Sequence, residues 1–239
     1  MLRDPELESK AIYLVTLAGN EATLENIENA LSRLFRDSEA LGISGRTRLF
    51  VYITGEGNDQ NMMHLPNNEV LSKEDVNQWL WKLRATWGYS RTITLVLDIC
   101  RTNENDPHVN MHDGTELVFS CSPGEEALAL KFSRDTPHSC FMLAFVLASP
   151  ISARCSSAKL VATVEQRLGQ LTEIGREAAL NAGKGGEVSG PQQPNWAQRS
   201  VSDVRFRQLL FSHDLFGTAT GWVNISWPRT NAFQNQSSA

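Results

Sequence analysis

Two apolar runs in this chain end in residues that can do chemistry. RLFVYIT (48–54) stops at Gly55-Glu56-Gly57, and TITLVLDIC (92–100) stops at Asp98-Ile99-Cys100-Arg101. A cysteine at a strand end is a nucleophile when a neighbouring group favours its thiolate. Side chains alternate along a strand, so Asp98 and Cys100 share a face and Ile99 points the other way. The same residues also fit a plainer reading, with Cys100 as a small buried hydrophobe and Asp98 as a hydrogen-bonded strand-end carboxylate. Glycines on both sides of Glu56 suit a turn that presents a single side chain. If the two runs are neighbouring strands, Glu56 and Cys100 lie at one rim. The candidate bases are His64, in a hairpin expected after the Glu56 turn, His108 and His112, in the loop after Cys100, and His138 and His213.

These ends need elements to hold them. KAIYLVTLA (10–18) reads as a short buried strand. Thr23 is placed to cap a helix over 24–37, in which Leu24, Ile27, Leu31, Leu34 and Phe35 recur at helical spacing. The run at 48–54 is almost unbroken in its apolar, β-rich character, the pattern of a strand covered on both faces, and 92–100 reads as a second fully buried strand. Between them, Ser72 and Asp75 form a capping box before a helix whose stripe is Val76, Trp79, Leu80 and Leu83. The order strand, helix, strand, helix, strand predicts parallel strands with right-handed helical crossovers, and sites in such sheets gather at the carboxyl ends of the strands. Further along, a polar loop spans 101–115 and a strand 116–122. PGEEALALKF (123–132) reads as a short helix, 139–148 as a buried helix and 156–180 as a long amphipathic one. The Gly/Pro-rich stretch 181–194 predicts a mobile loop, 204–211 a last strand, and the polar tail after Phe233 disorder.

Composition narrows the function classes. The chain has 239 residues, with 22 basic against 27 acidic, for a net charge of −5. No basic excess marks a general nucleic-acid or anionic-membrane binder. No apolar run reaches the ~18–20 residues that span a bilayer, and the charged N-terminus MLRDPELESK carries no secretory signal pattern. Cys100, Cys121, Cys140 and Cys155 show no CxxC spacing, which predicts free thiols in a reducing compartment, cytoplasmic or nuclear, with neither a disulfide frame nor a zinc site.

Taken in order, several segments resemble the caspase and metacaspase peptidases, most closely their fungal relatives. ATLENIENALSRLF resembles the helix before the histidine strand, and RLFVYITGEG that strand and its usual Ser-Gly-His-Gly end. TITLVLDICR resembles the cysteine strand, which ends Asp-x-Cys in metacaspases. LVFSCSPGEEALAL is similar to the start of the small-subunit region, and QQPNWA…FRQLLF to the closing strand. The likeness spans residues 10–212, leaving 213–239 as a C-terminal extension.

The resemblance implies a three-layer caspase-like α/β fold, with a mainly parallel central sheet and helices on both faces. It implies a cysteine endopeptidase of the kind linked to programmed cell death, acting on a peptide or protein. Cys100 falls at the nucleophile. Gly57 falls where its backbone N–H, with that of Cys100, would form an oxyanion hole. Asp98 falls where metacaspases receive a substrate Arg or Lys.

Three departures change the expectation. Glu56 occupies the place of the general acid–base histidine, and an anion beside a thiol disfavours the thiolate. The family's usual first strand and helix have no counterpart ahead of residue 10, which predicts a sheet short of one strand and an edge open to self-association. SCSPGEEALAL lacks the paired aspartates common in metacaspases. Glu125 and Glu126 stand near that place without being clearly equivalent, so no cofactor is expected, though the resemblance leaves calcium possible with no assignable ligands. The sequence thus predicts a caspase-like domain with impaired or absent proteolysis. The alternative is an active endopeptidase cleaving after Arg or Lys, with Cys100 as nucleophile and another histidine as base.

Overall fold

The computed structural model describes residues 15–40, 49–87, 93–105, 111, 114–131, 137–152, 157–183, 190 and 192–198. In chain order the elements are α1 (Leu24–Ala40), β1 (Leu49–Thr54), β2 (Met63–His64), β3 (Val70–Leu71), α2 (Lys73–Trp87), β4 (Ile93–Asp98), β5 (Thr115–Phe119), β6 (Ala129–Lys131), β7 (Pro137–Ser139), α3 (Cys140–Ser152), α4 (Ser157–Asn181) and β8 (Asn195–Gln198). The central sheet has the order β1-β4-β5-β8. β1, β4 and β5 run parallel, and β8 is antiparallel to β5. The chain is therefore mixed α/β with a mainly parallel central sheet.

Alternation along the strands sorts the core into two layers. Ile53, Leu95, Leu97, Leu117 and Phe119 pack against Ile27, Leu31 and Phe35 of α1 and Val76 and Leu80 of α2. Tyr52, Val96 and Val118 point the opposite way, onto Phe141, Ala144 and Phe145 of α3 and Leu160, Val164 and Leu168 of α4. Covering both faces buries all six residues of β4, and its two polar ones are paired, Thr94 with Glu116 and Asp98 with Tyr52.

Local signals at the helix starts work as read. The Thr23 hydroxyl accepts the Asn26 N–H at 3.2 Å. Ser72 and Asp75 form the reciprocal capping box, with Asp75 N–H on Ser72 Oγ at 3.1 Å and Ser72 N–H on Asp75 Oδ2 at 2.9 Å. No helix among the described residues is long and apolar enough to cross a membrane.

Other expectations are corrected. The described part of the 10–18 run, residues 15–18, is not in a strand; residues 10–14 lie outside the described residues. The helix expected at 123–132 is absent over its described part, 123–131. Gly124 takes a left-handed φ of +83°, Glu125 bridges to Arg101, and 129–131 pairs as β6 with β7. Pro123-Gly124 acts there as a turn, and the apolar residues after it serve a hairpin. The stretch expected to be a mobile loop, 181–194, is ordered at its described ends: Asn181 closes α4, and Gln192 is buried and hydrogen-bonded through both ends of its side-chain amide; 184–189 and 191 lie outside the described residues. The strand expected at 204–211 and the tail after 233 lie outside the described residues. Among those residues, β1 forms one edge of the sheet and β8 the other.

Candidate functional site

The site follows from register. β1 and β4 pair with Thr54 opposite Asp98, and the ladder ends with the Gly55 N–H on the Asp98 carbonyl at 3.3 Å. Two residues further on, the turn at 55–57 meets Cys100. The backbone of Gly57 lies so close to that of Cys100 that a Cβ on Gly57 would be driven into the Cys100 carbonyl oxygen. Glycine is required there for close approach rather than for an unusual φ. Gly57 also forms a bridge with Met63, and the His64 N–H reaches the Glu56 carbonyl at 2.9 Å. Glu56 and His64 therefore stand opposite each other across a short hairpin, and both side chains are exposed.

Cys100 is half-buried, with Sγ 3.9 Å from the Ala127 carbonyl. The residue after it is anchored firmly. Arg101 is 3% exposed, its guanidinium lies 3.8 Å from the Phe119 ring centroid, and it donates to the Cys121 carbonyl at 3.1 Å. Its N–H donates to the Glu125 carbonyl at 2.9 Å and its carbonyl accepts the Gly124 N–H at 2.6 Å. Cys121 sits directly beneath, its sulfur 3.1 Å from the Ile99 carbonyl. Burial, with the nearby Cys100 sulfur adding to it, pushes the Cys121 thiol up to about 12. Cys121 is thus a protonated structural thiol. Cys100, Cys121 and Cys140 are all free of disulfides.

Asp98 is 3% exposed. The Tyr52 hydroxyl donates to its Oδ2 at 2.6 Å. Burial, followed by the charge of Asp98, holds the Tyr52 hydroxyl well above its ordinary pKa. Asp98 and Cys100 come from one strand end, as alternation predicts, but the carboxylate is covered in this conformation. Glu125 is committed to local structure, its Oε2 accepting the N–H groups of Ser122 at 3.0 Å and Gln193 at 2.7 Å. Among the described residues, no group of three or more His, Cys, Asp or Glu side chains could hold a metal ion.

Neither Tyr52 nor Arg101 carries an evident role in the sequence alone. For Tyr52 a signal existed: it lies two residues before Thr54, on the face that alternation assigns to Asp98. The stacking of Arg101 on Phe119 had no comparable signal. His64 lies in the expected hairpin, and His138 is exposed in β7; His108, His112 and His213 lie outside the described residues. A shallow depression elsewhere is lined only by α4 residues, among them Gln166, Gln170 and Ile174, and includes none of these groups. No family model matches the chain, and no curated protein matches it at a significant level.

Proposed function

We propose that this chain is a caspase/metacaspase-like cysteine endopeptidase domain whose proteolytic activity is impaired or absent, and that it acts by binding a peptide or protein. One observation carries the reading: the Gly57 backbone packs on Cys100, which supports a turn at 55–57 that brings position 56, a glutamate here, beside the cysteine loop. The ends of two adjacent parallel strands, helices on both faces and an antiparallel closing strand support a caspase-like arrangement. The free thiols favour a reducing compartment such as the cytoplasm.

A cysteine peptidase needs a thiolate balanced by an imidazolium, which later protonates the leaving amine. A carboxylate in that place opposes a second anion beside it and does not supply the imidazolium's positive charge. General acid–base catalysis contributes ~10²–10⁴-fold, so its loss alone leaves little turnover. Glu56→His should raise the alkylation rate of Cys100 at neutral pH by roughly tenfold; an unchanged rate contradicts the placement of position 56 beside the sulfur.

One observation favours a second reading. His64 stands across the hairpin from Glu56, and directly opposed residues bring their Cβ atoms within ~5.5 Å. In that reading Glu56 orients His64, and His64 acts as base for an active endopeptidase that cleaves after Arg or Lys, with Asp98 receiving the cation. It requires Cys100-dependent hydrolysis that His64→Ala abolishes; activity surviving in His64→Ala refutes it.

A further inference from the structure

The hairpin that carries Glu56 is tied to the Cys100 loop on either side of the Gly57–Cys100 contact. The first is the end of the β1–β4 ladder, Gly55 N–H on the Asp98 carbonyl at 3.3 Å. The second is a side-chain clasp. Asn61 Nδ2 donates to the Asn103 carbonyl at 2.9 Å, and the Asn103 N–H donates back to Asn61 Oδ1 at 3.0 Å. The carboxamide thus behaves as a surrogate peptide group and restores one rung of pairing beyond the point where the strands part.

The surrounding loop is shaped to deliver that amide. Asn58 Oδ1 accepts the N–H groups of Gln60 and Met62, each at 2.9 Å. Asn58 N–H donates to the Met62 carbonyl at 2.8 Å, and Asn61 N–H to the Asn58 carbonyl at 3.0 Å. Asn61 itself is buried and takes a left-handed φ of 58°, a conformation that asparagine tolerates better than most residues. Glu56, Gly57 and Cys100 all lie between the two attachment points.

We propose that Asn61 is a positioning residue, holding the Glu56–Gly57 turn in register over Cys100. The proposal rests on the reading of Cys100 as the nucleophile position. Asn61 touches neither Glu56 nor the sulfur in this role; it acts through the turn, so its effect is read as coupling to position 56.

The test is a double-mutant cycle on Cys100 alkylation by iodoacetamide at neutral pH, with the modified peptide identified by mass spectrometry. Glu56→His is measured alone and combined with Asn61→Gly or Asn61→Asp. Glycine tolerates the left-handed backbone and removes the whole side chain, amide included. Aspartate keeps the shape and the acceptor but, ionised, cannot donate to the Asn103 carbonyl. A thermal melt identifies which variants are folded, and the isosteric Asp variant serves if the Gly variant is not. The expected result is a roughly tenfold gain in Glu56→His that falls to twofold or less in either combination. A full gain in the folded combined variants overturns the proposal and leaves the Cys100 reading intact. No gain in Glu56→His with Asn61 present overturns that reading, and the proposal with it.

Discussion

At the residue scale, the site combines groups that suit nucleophilic catalysis with one that opposes it. Cys100 is half-buried at a strand end and Gly57 lies against its backbone; in the proposed reading Glu56 stands where a cysteine peptidase needs an imidazolium. Asp98 adds a second constraint, since its carboxylate is buried and satisfied by Tyr52 at 2.6 Å. Tyr52→Phe removes that donor while keeping the ring in the core. It should destabilise the fold by about 1–3 kcal/mol, the penalty for leaving a buried acceptor short of a partner, measured by denaturant titration. No loss of stability would show that water satisfies Asp98 equally well. Asp98→Asn combined with Tyr52→Phe should cost less than the sum of the two single changes, because both remove the same contact.

At the element scale, the helices and central strands were legible because their signals are local. Thr23, Ser72 and Asp75 cap the helices they were expected to cap, and the apolar runs at 48–54 and 92–100 became the paired β1 and β4. Ser72→Ala should cost ~1 kcal/mol, and Leu80→Ala, at the buried centre of the α2 stripe, ~2–5 kcal/mol. Equal costs in thermal or denaturant melts would contradict the packing of α2 on the sheet. The failures lie where tertiary contacts override local preference. Residues 123–132 have the composition of a helix, yet the 125 peptide pairs with Arg101 and 129–131 pairs with β7. Gln192 lies at the end of a Gly/Pro-rich stretch, but its amide bridges the Leu128 N–H at 3.0 Å and the Ser120 carbonyl at 2.9 Å. Neither partner is visible from residues near it in sequence.

At the scale of the whole molecule, two helical layers enclose a mainly parallel sheet, and the candidate site lies at the carboxyl ends of β1 and β4. The position of Glu56 beside the Cys100 loop was legible as soon as the two runs were taken as neighbours; the clasp, the Arg101 stack and the cover over Asp98 needed the assembled fold. The buried acids also set how stability responds to pH. Cys121 is raised from 9.0 to about 12, so the folded state keeps a proton that the unfolded chain releases. Its contribution is fully present below pH ~9 and is lost as pH rises toward ~12, on the order of 4 kcal/mol in all. Tyr52, also raised, adds in the same direction at higher pH. Cys121→Ala should flatten the alkaline decline in unfolding free energy; an unchanged slope would assign it to other groups. The central claim, a caspase-like site disabled at Glu56, is tested most directly by hydrolysis of fluorogenic peptides ending in Arg, Lys or Asp, with and without calcium. The account predicts no turnover by the wild-type chain above that of Cys100→Ala. Wild-type turnover that disappears in Cys100→Ala would contradict it.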